Sequence, residues 1–114
     1  MKKPNNADRL RHILNAIERL EKHLRGYDKQ SFQTDEKTQD AVVRQLEIIG
    51  EAATNLTRDL RSKNPQVKWQ FATAMRNRLI HGYFDIDAEI VWNTTQNDLP
   101  ILKTEIEKIL ESLN

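Results

Sequence analysis

Apolar positions recur with a helical period along almost the whole chain. Leu10, Ile13, Leu14, Ile17, Leu20 and Leu24 follow the i, i+3, i+4, i+7 spacing that lines one face of a helix. They predict a first helix from about Ala7 to Arg25, stopped by Gly26 in the left-handed conformation that glycine adopts at little cost. The tract "YDKQSFQTDEKTQD" reads as a polar connector. Thr34 is the expected N-cap of the next helix, with Asp35 and Glu36 placing negative charge at its positive end. Val42, Leu46, Ile49, Ala53, Leu56 and Leu60 then alternate spacings of four and three, a seam suited to antiparallel helix packing. Val43 and Ile48 lie off that seam, so the helix is expected to touch more than one neighbour. It should end near Lys63, before Asn64-Pro65.

Trp69, Ala72, Met75 and Leu79 form the buried stripe of a third predicted helix, ended by Gly82. Asp85 and Asp87 are candidate N-caps for a fourth, which contains Ile90, Val91 and Trp92. Pro100 should break or kink it, because proline removes a donor and crowds the preceding turn. Leu99, Leu102, Ile106, Ile109 and Leu113 carry the last stripe to the C-terminus. No strand-like alternation, repeat or low-complexity tract interrupts this pattern. The expectation is a single all-α domain over residues 1–114, an antiparallel helical bundle of four long helices with the last broken near Pro100.

Composition narrows the chemistry. Only three glycines and three prolines occur, which leaves few turns and favours helices. There is no cysteine, so disulfides and thiolate metal sites are excluded. The N-terminal "MKKPNNADRL" has no apolar run after its lysines, and no segment approaches the roughly 20 apolar residues that span a bilayer. A soluble, cytoplasmic protein without membrane contact is expected. Eighteen basic and seventeen acidic side chains nearly cancel. That balance argues against bulk nucleic-acid coating, whose affinity comes from neutralising many phosphates. A local site for one or two phosphates is compatible with it.

His12, His23 and His81 form no zinc-binding pattern with one another or with carboxylates, and neither a nucleophilic triad nor a glycine-rich phosphate loop is present. No metal and no cofactor are expected. His12 and His23 belong to no motif and read as surface or boundary residues. Met75–Phe84, "MRNRLIHGYF", differs by concentrating two arginines, an asparagine, a histidine and a tyrosine. At about 100° per residue Asn77 and His81 share a helix face, while Arg76 lies about 140° round from His81 with a side chain long enough to swing back. A guanidinium clamps phosphate oxygens in a bidentate fashion, and an imidazole exchanges protons near neutral pH. Metal-free RNA cleavage needs these two functions: acid–base transfer at the 2′-hydroxyl and leaving oxygen, and a cation for the charged phosphorane. A basic last turn also steadies any helix through the macrodipole, so the spacing alone leaves catalysis and a solvated helix end both open.

Read with "RQLEIIGEAA" upstream and "VW…DLP" downstream, the decapeptide resembles the HepT-like branch of the HEPN superfamily, in order and spacing over nearly the whole chain. Arg76-Asn77-Arg78-Leu79-Ile80-His81 matches the family's Arg-x(4–6)-His motif, and His81-Gly82-Tyr83 matches its His-x-Tyr extension. The resemblance implies an α-helical bundle that forms a homodimer, with the two motifs facing one cleft. It implies a metal-independent ribonuclease toxin acting on RNA, with tRNA one candidate substrate. Arg76 and His81 would be catalytic, with Asn77 and Arg78 in support. It also implies a cognate minimal nucleotidyltransferase antitoxin that adenylylates Tyr83, within an assembly whose order beyond the dimer stays open. Arg44, on the long second helix, is a further candidate for the rim of the cleft. The rival reading is a non-catalytic helical dimer that docks a nucleotidyltransferase or a nucleotide. Ile48, Ile80 and Phe84 are surplus to the single-stripe patterns and are expected at the dimer contact.

Overall fold

The structure, a computed structural model of the chain, describes residues 4–70 and 87–113. Helix α1 spans Asn6–His23 and begins with a reciprocal capping box between Asn5 and Asp8. Leu24 caps its end, and Gly26 takes φ +82° as the stop signal required. The expected connector contains a short helix, α2 (Lys29–Gln33), which the sequence reading did not anticipate. Its capping box pairs Asp28 with Ser31, and its one buried residue is Phe32.

Helix α3 spans Glu36–Thr54 and is capped by Asp35, whose carboxylate accepts from the Thr38 amide at 3.0 Å. The expected cap, Thr34, instead closes α2. The carboxylate outcompetes the hydroxyl because it is a charged acceptor beside the helix's positive end. Nor does the second helix run unbroken to Lys63. It stops at Thr54, and a new helix, α4 (Arg58–Lys63), starts behind the cap Thr57. Asn6 reads that break through two bonds: it accepts from the Thr57 amide at 3.1 Å and donates to Thr57 Oγ1 at 3.0 Å. Arg9 donates to the Asn55 carbonyl that the interruption leaves free. Leu56 and Leu60 stay buried across it, so the expected seam survives a change in helix direction.

The C-terminal region comprises α5 (Ala88–Asn93), a π turn (Thr94–Asp98) and α6 (Leu99–Ser112). Asp87 caps α5, as expected of one of its two candidates. Asp85 and the residues of the third predicted stripe beyond Gln70 lie outside the described residues. Pro100 does not break the helix. It falls in the first turn of α6, where a missing N–H costs least. The preceding turn widens to the π register, the Leu99 amide bonding to the Thr94 carbonyl.

The core is continuous. Leu10, Ile13, Ile17 and Leu20 of α1 meet Val42, Leu46 and Ile49 of α3, with Leu99, Ile106 and Ile109 closing one side. Burying each such side chain contributes about 1.5–3 kcal/mol. Helix α1 packs against both α3 and α6, and α3 also meets α2; Val43 is buried in the core and Ile48 is partly buried against it, beside Arg9 and His12. The contacts of Asn6 and Arg9 with the end of α3 make α1 and α3 antiparallel. The ion pair Lys103–Glu21, 2.9 Å, places early α6 beside late α1, so these two are antiparallel as well. The fold is all-α, with no strand among the described residues. None of the described helices is long and apolar enough to cross a membrane.

Candidate functional site

The motif residues Arg76, Asn77, Arg78, His81 and Tyr83 lie outside the described residues, as do Ile80 and Phe84. Both shoulders from which that segment departs are described, and each is tied to the core.

On the entering side, Asn64 organises the turn that follows α4. Its side chain donates to the Leu60 carbonyl at 2.8 Å, and its own carbonyl accepts from the Val67 amide at 3.2 Å and the Trp69 indole at 3.0 Å. One residue thereby ends α4 and anchors the next stretch, where helical geometry begins at Trp69 and Gln70. Val67, absent from the sequence-derived core, is 5% exposed and plugs the turn into the interior. Trp69 packs half-buried against the core, in keeping with its place on the predicted stripe. On the leaving side, Asp87 accepts from the amides of Glu89 at 3.1 Å and Ile90 at 3.2 Å. Glu89 pairs with Lys29 at 3.0 Å, and Trp92 stacks in a tilted arrangement on Phe32 with ring centroids 5.6 Å apart.

A hollow of about 880 Å³ opens beside the entering shoulder. Its walls carry Arg58, Arg61 and Lys68 with Trp69 and Gln70, and no carboxylate among the described residues. Sequence reading missed this cluster, because Lys68 joins Arg58 and Arg61 of α4 only across the turn at Asn64, and the three belong to no linear motif. Arg44 is exposed on α3 and pairs with Glu47 at 3.5 Å. It shares a second hollow, of about 480 Å³, with Arg9, His12 and Glu51. His12 and His23 are both exposed, as their lack of a motif implied. No group of three or more potential metal-ligating side chains occurs among the described residues.

Among the described residues, two carboxylates have pKa values below the ordinary range, and both are helix caps. Asp35 is lowered first by the Tyr27 hydroxyl that donates to it and then by the Thr38 amide. Asp28 is lowered chiefly by the amide and hydroxyl of Ser31. Lys103 is raised, mainly by its bond to Glu21. These shifts mark structural contacts rather than proton-transfer groups, since each charged form is held by a cap or an ion pair.

An all-helical bundle with a phosphate-suited motif between two anchored shoulders defines a class, and comparison with known proteins supplies the family. Residues 13–109 match the ribonuclease HepT-like family, and the chain belongs to it. It is 41% identical over 107 residues to "Probable ribonuclease HepT" of Thermococcus cleftensis, covering 94% of this chain and 97% of that protein. "Putative RNase TTE0752" of Caldanaerobacter subterraneus is 38% identical over 102 residues, covering 90% and 91% of the two chains. "Putative RNase MJ0127" of Methanocaldococcus jannaschii is 46% identical over 82 residues, covering 72% and 68%. No solved structure matches the chain significantly.

Proposed function

We propose that the chain is a metal-independent endoribonuclease, the toxin of a toxin–antitoxin pair, working as a homodimer with Arg76 and His81 at a shared cleft. The observation that carries this reading is the run Arg76…His81-Gly82-Tyr83 inside a chain that belongs to the ribonuclease HepT-like family from residue 13 to 109.

The chemistry follows from the residue types. A neutral His81 imidazole takes the proton of the RNA 2′-hydroxyl, whose oxygen attacks the adjacent phosphorus. The Arg76 guanidinium holds the non-bridging oxygens as charge builds on the phosphorane. The protonated His81 of the second protomer gives its proton to the departing 5′-oxygen, leaving a 2′,3′-cyclic phosphate and a 5′-hydroxyl. Positioned proton transfer of this kind contributes typically about 10²–10⁴ in rate. Two-fold symmetry supplies both imidazoles, and doubles the arginines in a protein whose net charge is only +1.

Control falls to Tyr83. A nucleotidyltransferase antitoxin joins the Tyr83 oxygen to the α-phosphorus of ATP and releases pyrophosphate. The resulting phosphodiester carries about one negative charge into the arginine cluster, where it competes with RNA.

The deciding experiment incubates purified protein with total tRNA in the presence of EDTA. Cleavage that resists the chelator and leaves cyclic phosphate ends is expected, and Arg76→Ala and His81→Ala should each abolish it with the helical circular dichroism unchanged. Intact RNA at high protein concentration, or cleavage that survives in either folded variant, would overturn the assignment.

A further inference from the structure

The hollow beside Trp69 stands outside the motif, and its chemistry is one-sided. Arg58 and Lys68 are exposed, Arg61 is half-buried, and among the described residues no carboxylate joins them in the wall. Some cations elsewhere are neutralised locally, Arg11 by Asp8, Lys29 by Glu89, Lys63 by Asp59 and Lys103 by Glu21, while Arg19, Lys22, Arg25 and Lys37 are in none of the ion pairs among the described residues. None of the ion pairs among the described residues includes Arg58, Arg61 or Lys68. Lys68 also lines an adjoining hollow with Asp98 and Glu105, so the local excess of positive charge rests chiefly on Arg58 and Arg61.

Arg61 is the most enclosed of the three cations. Its Nε is buried out of solvent's reach, so an anion in the hollow would meet Arg61 only through the part of the side chain that lines the wall. Trp69 provides the remaining ingredient. Its indole N–H is committed to the Asn64 carbonyl, which fixes the ring in the wall beside the cations. A fixed aromatic surface next to guanidinium and ammonium groups is the combination on which single-stranded nucleic acid rests, phosphates on the cations and a base or ribose on the ring. Duplex recognition would require a longer basic surface.

The chain connects this hollow to the motif. Gln70, in its wall, is six residues before Arg76, and six residues span at most about 20 Å even when fully extended. One RNA strand can therefore contact both.

We infer that Arg58, Arg61, Lys68 and Trp69 form a second, non-catalytic RNA-binding surface, which grips the single strand flanking the scissile phosphodiester. The inference rests on the ribonuclease reading for its choice of ligand. It assigns these side chains to substrate positioning and leaves bond cleavage to the motif.

The test uses the full-length protein and a fluorescein-labelled 2′-O-methyl oligoribonucleotide, which lacks the free 2′-hydroxyl and so reports binding without cleavage. Affinity is measured against salt for the parent and for Arg58→Ala/Lys68→Ala, two exposed positions whose truncation opens no cavity. Each single-strand phosphate contact contributes about 0.7 to the slope of log K on log salt, so losing two should lower it by roughly 1.4 and weaken binding about tenfold near 0.15 M salt. Trp69→Leu should weaken binding with the slope kept, since stacking carries no counterion release. With cleavable RNA the double variant should show a raised KM and a kcat within about twofold of the parent, because a flanking grip is made equally in ground and transition states.

A parent that binds no oligonucleotide overturns the inference, as does an unchanged slope in the double variant. If that variant instead loses only its association with a co-expressed nucleotidyltransferase, the hollow belongs to a protein partner and the inference is overturned. The ribonuclease reading is judged separately. A parent that binds through the hollow yet cuts no RNA would refute the enzyme and leave the surface standing.

Discussion

Phe32→Ala tests the architecture at a point that the polarity of the sequence conceals. Phe32 is fully buried, at 0% exposure, and is the sole buried residue of a five-residue helix. So short a helix has no stability of its own in water and persists through what it packs against. Removing a buried phenyl group costs about 3–5 kcal/mol through lost transfer energy and the cavity left behind. The Trp92 contact at 5.6 Å belongs to the class of aromatic pairs that contribute about 0.5–1.5 kcal/mol beyond burial, which places this site toward the upper end. The unfolding entropy of a domain of 114 residues makes 1 kcal/mol equivalent to about 4 °C in Tm. The expected fall is therefore about 12–20 °C, measured by thermal unfolding followed by circular dichroism at fixed protein concentration. Phe32→Leu keeps aliphatic bulk and should lose well under half of that. A fall of less than about 4 °C in Phe32→Ala would mean that α2 is a surface ornament, and that the support attributed to α5 through Trp92 does not exist.

The other expectations are smaller in scale. Thr57→Ala removes the cap on Leu60 and the acceptor for Asn6, and should lower stability by about 1–2 kcal/mol in urea titration; a change under 0.3 kcal/mol would refute the role of that junction. The folded pKa of Asp35 is depressed, so the stability it contributes is present above its unfolded pKa of about 3.9 and lost as pH falls through the folded value. Tyr27→Phe, which removes the largest cause of that depression, should narrow the gap between urea midpoints at about pH 6 and pH 2.5; an equal or wider gap would contradict the assignment. Tyr83→Phe should keep RNA cleavage but escape a nucleotidyltransferase antitoxin, with mass spectrometry showing AMP-sized additions on the parent alone; a variant neutralised as readily as the parent would exclude tyrosine modification as the control.

What the sequence made legible was periodicity. The stripe from Leu10 to Leu24 is buried as expected apart from the half-buried Leu14, and so are the seam from Val42 to Leu60 and Leu99, Ile106 and Ile109, whereas Leu113 is exposed. What it concealed were features held by single residues. Helix α2 was hidden because one buried phenylalanine in a polar tract makes no period. The interruption at Asn55–Thr57 was hidden because Leu56 and Leu60 stay in phase across it, so the hydrophobic pattern looks the same with or without the break. Pro100 was read as an interruption because its cost was assessed for a helix interior, whereas it occupies a first turn. The motif from Arg76 to Tyr83, which lies outside the described residues, was legible as a pattern of residue types. The cationic hollow was not, since Arg58, Arg61 and Lys68 come together only after the turn at Asn64 reverses the chain's course.

The widened turn before Pro100 also fixes the spelling of its own sequence. At about 100° per residue, the eight positions from Val91 to Leu99 would leave their side chains about 80° apart in a regular α-helix. One extra residue in a turn absorbs roughly 100° of rotation, which brings Leu99 back to within about 20° of Val91. Both are buried, at 4% and 2% exposure. The interval between "VW" and "DLP" is therefore a phase adjustment, and the number of residues in it matters more than their identity. A single insertion there would rotate everything downstream by about 100°, swinging Ile106 and Ile109 out of the core and turning Glu105 and Lys108 toward it, whereas losing one residue would leave a regular α-helix with Leu99 still about 20° from Val91. Point substitutions at Gln96 and Asn97, both exposed, leave that count intact. This stretch should accept changes of letter at its exposed positions, lose its extra residue with the downstream phase kept, and tolerate an added residue hardly at all.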